Sequence, residues 1–526
     1  MRTTSRRATV AGLALMLATS LAAAACSPAG SGMTGDGGGG GGAPGKDDGP
    51  FIVARTADID LVDPARATAF PTVQTLDLVY DTLLETDDDG ELEPGLATEW
   101  TVGDDGRTVT LTLRNGVEFH NGETFTAADA KATLERILDE ETGSVVASYF
   151  GNVDTIETPD DQTLVLTLRR PDTALLNVLT YVGTSMLDQQ DIEAGKVQRA
   201  VNGTGAYRWT EWEQGQKVTL TANRDYWDGA PTLPTVELRV IPDESSILSG
   251  MVAGSLDLGL VSDPSVAKQV DKEKVQLLST DTLAYHVLQL NGRRGPLRNL
   301  AARQAIACAL DRDEVIDTAY FGTGEATGPI TSPAYEFDAL QGLPCDPPDL
   351  DAARSLLEKA GHPDGFTLDT IVMVGNYATA STIAQSVQAQ LAKIGVRLKL
   401  QQQQSSVYVK AWLAADYDAA VAKNGGSTDP YLMYGRYFEK NGSLAGPAGL
   451  ADEQLDQLLR DANATTDPAE RELLFGELQQ EMLRLSPWVW IASDQSYYLV
   501  GKDVKGFKAL PTDSLEYLTQ TRVGGS

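Results

Sequence analysis

From Pro50 onward, two apolar rhythms alternate along the chain with no fixed repeat, and that alternation constrains the fold more than any other feature. Thr108 to Arg114 and Thr163 to Arg169 place apolar residues at every second position, the mark of strands with one buried face. Between them, Thr126 to Leu138 puts Ala130, Leu134 and Ile137 on one helical face behind a Thr-Ala-Ala-Asp start. Val218 to Ala222 and Thr235 to Ile241 read as further strands. Leu300 to Tyr320, Asp351 to Ala360, Ala380 to Ile394 and Asp467 to Leu485 read as amphipathic helices. The third is flanked by the strands Leu368 to Met373 and Val396 to Gln401, which makes a strand-helix-strand unit. Interleaving of this kind predicts an α/β fold with more than one sheet.

The 526 residues amount to about three to four domain-sized units, enough to bury a large core without a disulfide or metal staple. Seventy-four acidic side chains oppose 42 basic ones, a formal charge of -32. Such an excess repels phosphate backbones, so nucleic acid is excluded as a partner. The only cysteines are Cys26, Cys308 and Cys345, and the only histidines are His120, His286 and His362, at spacings that build no metal site; no cofactor is expected.

Two motif fragments are dismissed on context. Gly40 to Lys46 spells G-x-x-x-x-G-K, but Asp47 follows and no strand precedes it. Asp87-Asp88-Asp89-Gly90 lacks the spaced ligands and closing glutamate of a calcium loop, and reads as a solvated turn. No G-x-S-x-G elbow and no H-E-x-x-H occurs.

The N-terminus reads as an export segment. Arg2, Arg6 and Arg7 precede the apolar run Ala11 to Leu21, and small residues lead to Cys26, so residues 1–25 are expected to be a signal peptide. Leu21-Ala-Ala-Ala-Ala-Cys26 resembles a bacterial lipobox, with Ala23 where that pattern prefers leucine, and the resemblance implies lipidation of Cys26. Ser5-Arg6-Arg7 leaves the general and the twin-arginine export routes both open. Residues 26–50, with six glycines at Gly37 to Gly42, form a tether with a reach of about 25–30 Å. Cleavage removes three arginines and takes the formal charge to -35, spread in this reading over the outer surface and silent about the charge of any ligand.

Several separated segments, in order, resemble the large extracytoplasmic solute-binding proteins of the peptide, nickel and opine class, family 5, which serve ABC importers. They are Pro94 to Trp100, Arg114 to Gly122, Asn202 to Tyr207, Asn223 to Gly229, Met251 to Asp257, Arg303 to Ile306 with Leu310 to Arg312, and Asp351 to Gly361. Asn115-Gly116 and Asn121-Gly122 supply tight turns, while Gly203 and Gly205 are expected to let the chain bend sharply. The resemblance implies a two-lobed periplasmic-binding-protein-like fold of class II type, with an extra inserted domain and a two-strand hinge. Domain I would gather residues 51–66, 201–285 and 490–526, domain II residues 67–200, and domain III residues 286–489. The crossing strands are expected near Leu288 to Asn291 and Trp488 to Ala492.

The implied function is capture of a small solute, a peptide or peptide-like compound, by a monomer that delivers it to permease subunits outside the cytoplasm. Its only link to the membrane would be the lipid. In peptide-binding members an aspartate four positions before a proline holds the amino terminus. The corresponding stretch here is Lys423 to Pro430, and the position is Gly426. Asp429 is then the nearest acid able to substitute. Asn424, Gly425, Gly426 and Ser427 offer close backbone approach and hydrogen bonds; Tyr431 and Arg436 follow, and Tyr149 and Tyr181 are candidates for the opposite wall. With Cys26 lipidated, Cys308 and Cys345 are a pair outside the cytoplasm, either bridged or two buried thiols. The rival functions are an exported hydrolase and a non-transport receptor or chaperone lipoprotein.

Overall fold

A computed structural model describes residues 49–331, 337, 340–374 and 379–524. The signal segment, Cys26 and the glycine tether lie outside the described residues. Ten strands form the path of one continuous sheet, in the order 397–404, 367–374, 419–424, 275–290, 488–501, 258–261, 51–55, 235–240, 217–222 and 207–213. At its centre the 16-residue strand Val275–Leu290 runs antiparallel to the 14-residue strand Trp488–Gly501.

These two strands belong to both halves of the sheet. Leu258–Val261 pairs with residues 497–500, while Ala419–Asn424 pairs with residues 285–290. Between the halves the register breaks, from Asp281 opposite Gln495 to Tyr285 opposite Ser493. The passage therefore lies at Thr282 to Ala284, and not near Leu288 to Asn291 as the sequence suggested. Residues 285–290 are instead buried on both faces. Val287, Ile371, Ala420 and Trp490 pack on one face, and Leu288, Val372, Val421 and Ile491 pack on the other. Strands covered on both sides lack the in-out alternation of a half-exposed strand, so the pattern alone does not show where they leave one half for the other.

The strand-helix-strand unit forms, with Thr367–Val374 parallel to Arg397–Gln404 and the helix Ala380–Ala392 between them in sequence. The helix expected over Leu300 to Tyr320 is two, Leu300–Ala309 and Arg312–Ala319, because Asp311 caps the second by accepting from the Glu314 amide at 3.0 Å. Cys308 and Cys345 are joined by a disulfide, their Cα atoms 4.7 Å apart.

A separate four-stranded antiparallel sheet orders 97–102, 108–113, 163–168 and 153–160. Leu111, Leu164 and Leu166 share its core with Ala130, Leu134 and Ile137 of the helix Ala127–Leu138. A capping box between Thr126 and Asp129 starts that helix. Near its C-terminal end Arg136 reaches the buried Asp63 at 2.5 Å.

The segments that carry the family resemblance converge on a structural joint. Asp81 accepts hydrogen bonds from Thr204 (2.7 Å), Tyr226 (3.0 Å) and Trp227 (2.9 Å), and the Arg114 guanidinium lies 4.1 Å from the Trp227 ring centre. His120 Nε2 donates to the Gly205 carbonyl at 2.9 Å, and burial holds this histidine down at about pKa 4. Gly203 and Gly205 are not in the left-handed region. They are glycine because a Cβ at either would overlap the Val79 backbone. The requirement is close approach, where the sequence suggested a bend. Gly116 and Gly122 do take the expected positive φ, 77° and 91°.

Candidate functional site

A cleft of about 1110 Å³ opens beside residues 282–284 of the long central strand, next to the C-terminal segment. Its walls come from residues 67–93, 146, 180–183, 206 and 226–232, the passage residues Thr282, Leu283 and Ala284, the loop Gly425 to Thr428, and residues 511–522. Glycine at 426 follows directly from that position, whereas a Cβ at 425 would meet open space. The loop leaves the strand Ala419–Asn424 and runs against residue 283, and a Cβ on Gly426 would overlap the Leu283 carbonyl. The family's anchoring carboxylate therefore has no room at position 426.

Asp429 does not take its place, because the structure commits it elsewhere. It is 1% exposed, caps the helix Pro430–Phe438 by accepting from the Tyr431 amide at 2.8 Å, and pairs with Arg471 at 2.6 Å. Asn177 also donates to it at 3.2 Å. A buried carboxylate with a matched cation and a helix N-terminus holds protein segments together and has little capacity left for a solute. Tyr431 likewise serves packing: its hydroxyl donates to Glu439 at 3.2 Å and its ring joins two cores. On the same helix Tyr434, Tyr437 and Phe438 cluster with Trp488 and Trp490.

The remaining candidates lie together. Tyr181 and Ser427 line the cleft and hydrogen-bond across it, hydroxyl to hydroxyl. Tyr149 packs edge-on against Tyr181, ring centres 6.2 Å apart. Asn424 faces Tyr285 in strand register. The Arg436 guanidinium stacks on Tyr437 at 4.8 Å and stands near Tyr149, Tyr181 and Tyr285.

Sequence reasoning missed the acidity of the cleft. Ten carboxylates line it against the single cation Arg522. Lys508, reaching in from outside the lining, pairs with Asp88 at 2.8 Å. Burial, followed by the neighbouring charges of Asp81, Glu516 and Asp77, pushes Glu85 up to about 8. Burial and Asp77 push Glu516 up to about 7. Asp77 and Asp81 are also raised by burial, against the lowering effect of their hydroxyl donors and, for Asp81, the Trp227 indole. The carboxylates come from residues 77–93, 228 and 513–516, too scattered along a chain with 74 acids to stand out before folding. Such a wall favours a positively charged group on whatever enters. Among the described residues no three His, Cys, Asp or Glu side chains converge as metal ligands. No described helix is long and apolar enough to cross a membrane.

Two halves of a sheet joined by a strand pair, with a cleft at the passage between them, define a periplasmic-type solute-binding protein. The comparisons place it more narrowly. The model for bacterial extracellular solute-binding proteins, family 5, middle region, matches residues 91–444, so the chain belongs to that family, the solute-binding component of ABC importers. The glutathione-binding protein GsiB of Salmonella typhimurium is 26% identical over 493 residues, spanning 89% of this chain and 93% of its own. The structure of AgaA in complex with agropinic acid, from A. tumefaciens R10, superposes with a TM-score of 0.77 at 27% identity, covering 91% of this chain and 99% of the other. The ABC transporter substrate-binding protein CtaP of Listeria monocytogenes has the same fold, with a TM-score of 0.81 at 23% identity and coverage of 91% and 99%. Each of these relatives is a solute-binding protein by its name.

Proposed function

We propose that the protein is held outside the cell membrane by a lipidated Cys26 and the 26–50 tether, and that it captures a small peptide or peptide-like solute in the cleft. Domain I comprises 51–66, 201–285 and 490–526, domain II 67–200 and domain III 286–489; they close about Thr282 to Ala284 and the facing strand. Closure buries the solute, and the closed form is the one presented to the permease. One observation carries this reading: the passage residues 282–284 are themselves part of the wall of the acidic cleft. A solute that touches them has different contacts in the open and closed forms, which is what shifts a two-state equilibrium.

Two features support a peptide-like solute. A peptide ammonium has no aspartate to meet at position 426, but the wall around Glu85 offers several carboxylates in its stead. The relatives GsiB and AgaA are described with glutathione and with agropinic acid, compact solutes of matching size class. Native mass spectrometry of the exported protein tests the proposal. A co-purifying peptide or peptide-like amine supports it, and a sugar or metal chelate overturns it. Release of the protein from membranes by Cys26→Ser tests the anchor.

A further inference from the structure

Beside the cleft, three buried hydrogen-bond donors meet no carboxylate or carbonyl among the described residues. Arg436 Nε, Asn424 Nδ2 and the Tyr285 hydroxyl have only one another and the hydroxyls of Tyr434 and Tyr437 as polar neighbours, none in a hydrogen bond of normal geometry. Tyr285 is fully buried. They come from two chain segments and are neighbours, since Tyr285 and Asn424 are register partners and Arg436 stands close enough to Tyr285 to act on its hydroxyl.

Arg436 is unusual in its own protein. The other well-buried arginines are satisfied at least in part: Arg136 by Asp63, Arg471 by Asp429, Arg55 by the Pro71 carbonyl and Thr75, Arg303 by the Leu485 and Leu297 carbonyls, and Arg312 by the Trp490 carbonyl. Among the described residues the Arg436 side chain has neither a carboxylate nor a carbonyl partner, in a protein with a large surplus of acids. An Nε–H withdrawn from water without an acceptor on a half-buried guanidinium is costly, so its retention points to an acceptor supplied from outside the chain. Access exists, because Arg436, Tyr149 and Tyr181 each keep partial exposure and Tyr181 is also part of the cleft wall.

We infer that Arg436, Asn424 and Tyr285 form an anion subsite that receives a carboxylate of the solute, roofed by Tyr149 and Tyr181. A planar carboxylate matches the fork of the guanidinium and accepts from the amide and the phenol at the same time. With the acidic wall at the other end of the cleft, the solute is held as an oriented zwitterion: its cation lies toward Glu85 and its carboxylate toward Arg436. The subsite deepens the solute-capture reading and rests on the cleft being the solute site.

The test compares the wild type with Arg436→Gln, Arg436→Lys and Asn424→Ala by thermal shift and calorimetry. The probes are tripeptides as free acids, the same tripeptides as C-terminal amides, and the non-peptide acids succinate and citrate. The wild type is expected to prefer free acid over amide by about ten-fold or more. Arg436→Gln should bring the two within about three-fold while melting as a folded protein, with Arg436→Lys and Asn424→Ala in between. If only succinate or citrate binds, and Arg436→Gln abolishes that binding, the anion subsite stands and the peptide reading fails. If acid and amide bind the wild type alike, or the free acid binds Arg436→Gln as tightly as the wild type, the subsite is overturned and the peptide reading survives. If no acid in the panel binds the wild type, the subsite is overturned as well.

Discussion

Gly426 lies against the carbonyl oxygen of Leu283, with no space between them for a Cβ atom. A loop that would hold an anchoring side chain in peptide-binding relatives is here pressed directly onto the strand that passes between the halves of the sheet. Replacing Gly426 by Asp should therefore not restore an amino-terminus anchor. The expected result is a loss of about 2–4 kcal/mol in chemical denaturation, from overpacking against backbone and a desolvated charge, with solute affinity reduced. A stable Gly426→Asp protein with tighter peptide binding would show that the loop moves freely away from Leu283.

Glu85 gives the cleft a pH dependence of known sign. Its folded pKa, about 8, lies above the ordinary 4.5, so the fold favours the protonated form. This contribution to stability is complete below pH 4.5 and is lost as pH rises through 8. The solute-free protein should melt progressively lower between pH 5 and pH 8.5, and Glu85→Gln should flatten that slope and melt higher than the wild type at pH 8.5. A saturating cationic solute should reverse the trend in the wild type, because it favours the ionised carboxylate. Melting curves at three pH values, with and without solute, check both.

The ion pair of Asp429 with Arg471 should behave as a buried pair broken on one side. Asp429→Ala leaves the Arg471 charge in a site where the two side chains are 1% and 11% exposed, and also removes a helix cap. A loss of about 3–5 kcal/mol is expected. If Asp429→Ala instead leaves urea stability unchanged and abolishes solute binding, Asp429 is the solute anchor after all.

The Cys308 to Cys345 bond closes a loop across a sequence separation of 37. Loop-closure entropy puts its contribution at roughly 3–4 kcal/mol. Cys345→Ser should lower the melting temperature by several degrees and make the protein indifferent to reductant. Thiol titration of the unreduced soluble body should find neither cysteine.

The sequence by itself determined the family, the α/β alternation, the strand-helix-strand unit and most helix limits. Those depend on local pattern: Thr126 and Asp467 open helices through groups within a few residues of themselves. It also singled out Asn424 and Ser427, because a glycine-rich loop between a strand and a helix is recognisable in one dimension, and with them Arg436 just downstream and Tyr149 and Tyr181 as candidates for the opposite wall, which the fold brings into one neighbourhood. The roles within that group were decided by the tertiary structure. Asp429 and Arg436 are seven residues apart and both charged, yet folding gives Asp429 an arginine from residue 471 and gives Arg436 only tyrosines. Burial and pairing are set by what arrives from distant parts of the chain. For the same reason an acidity that looks uniform along 526 residues becomes a concentrated wall inside one cleft, and the passage between the halves sits at Thr282 to Ala284, where strand register breaks and no apolar pattern marks it.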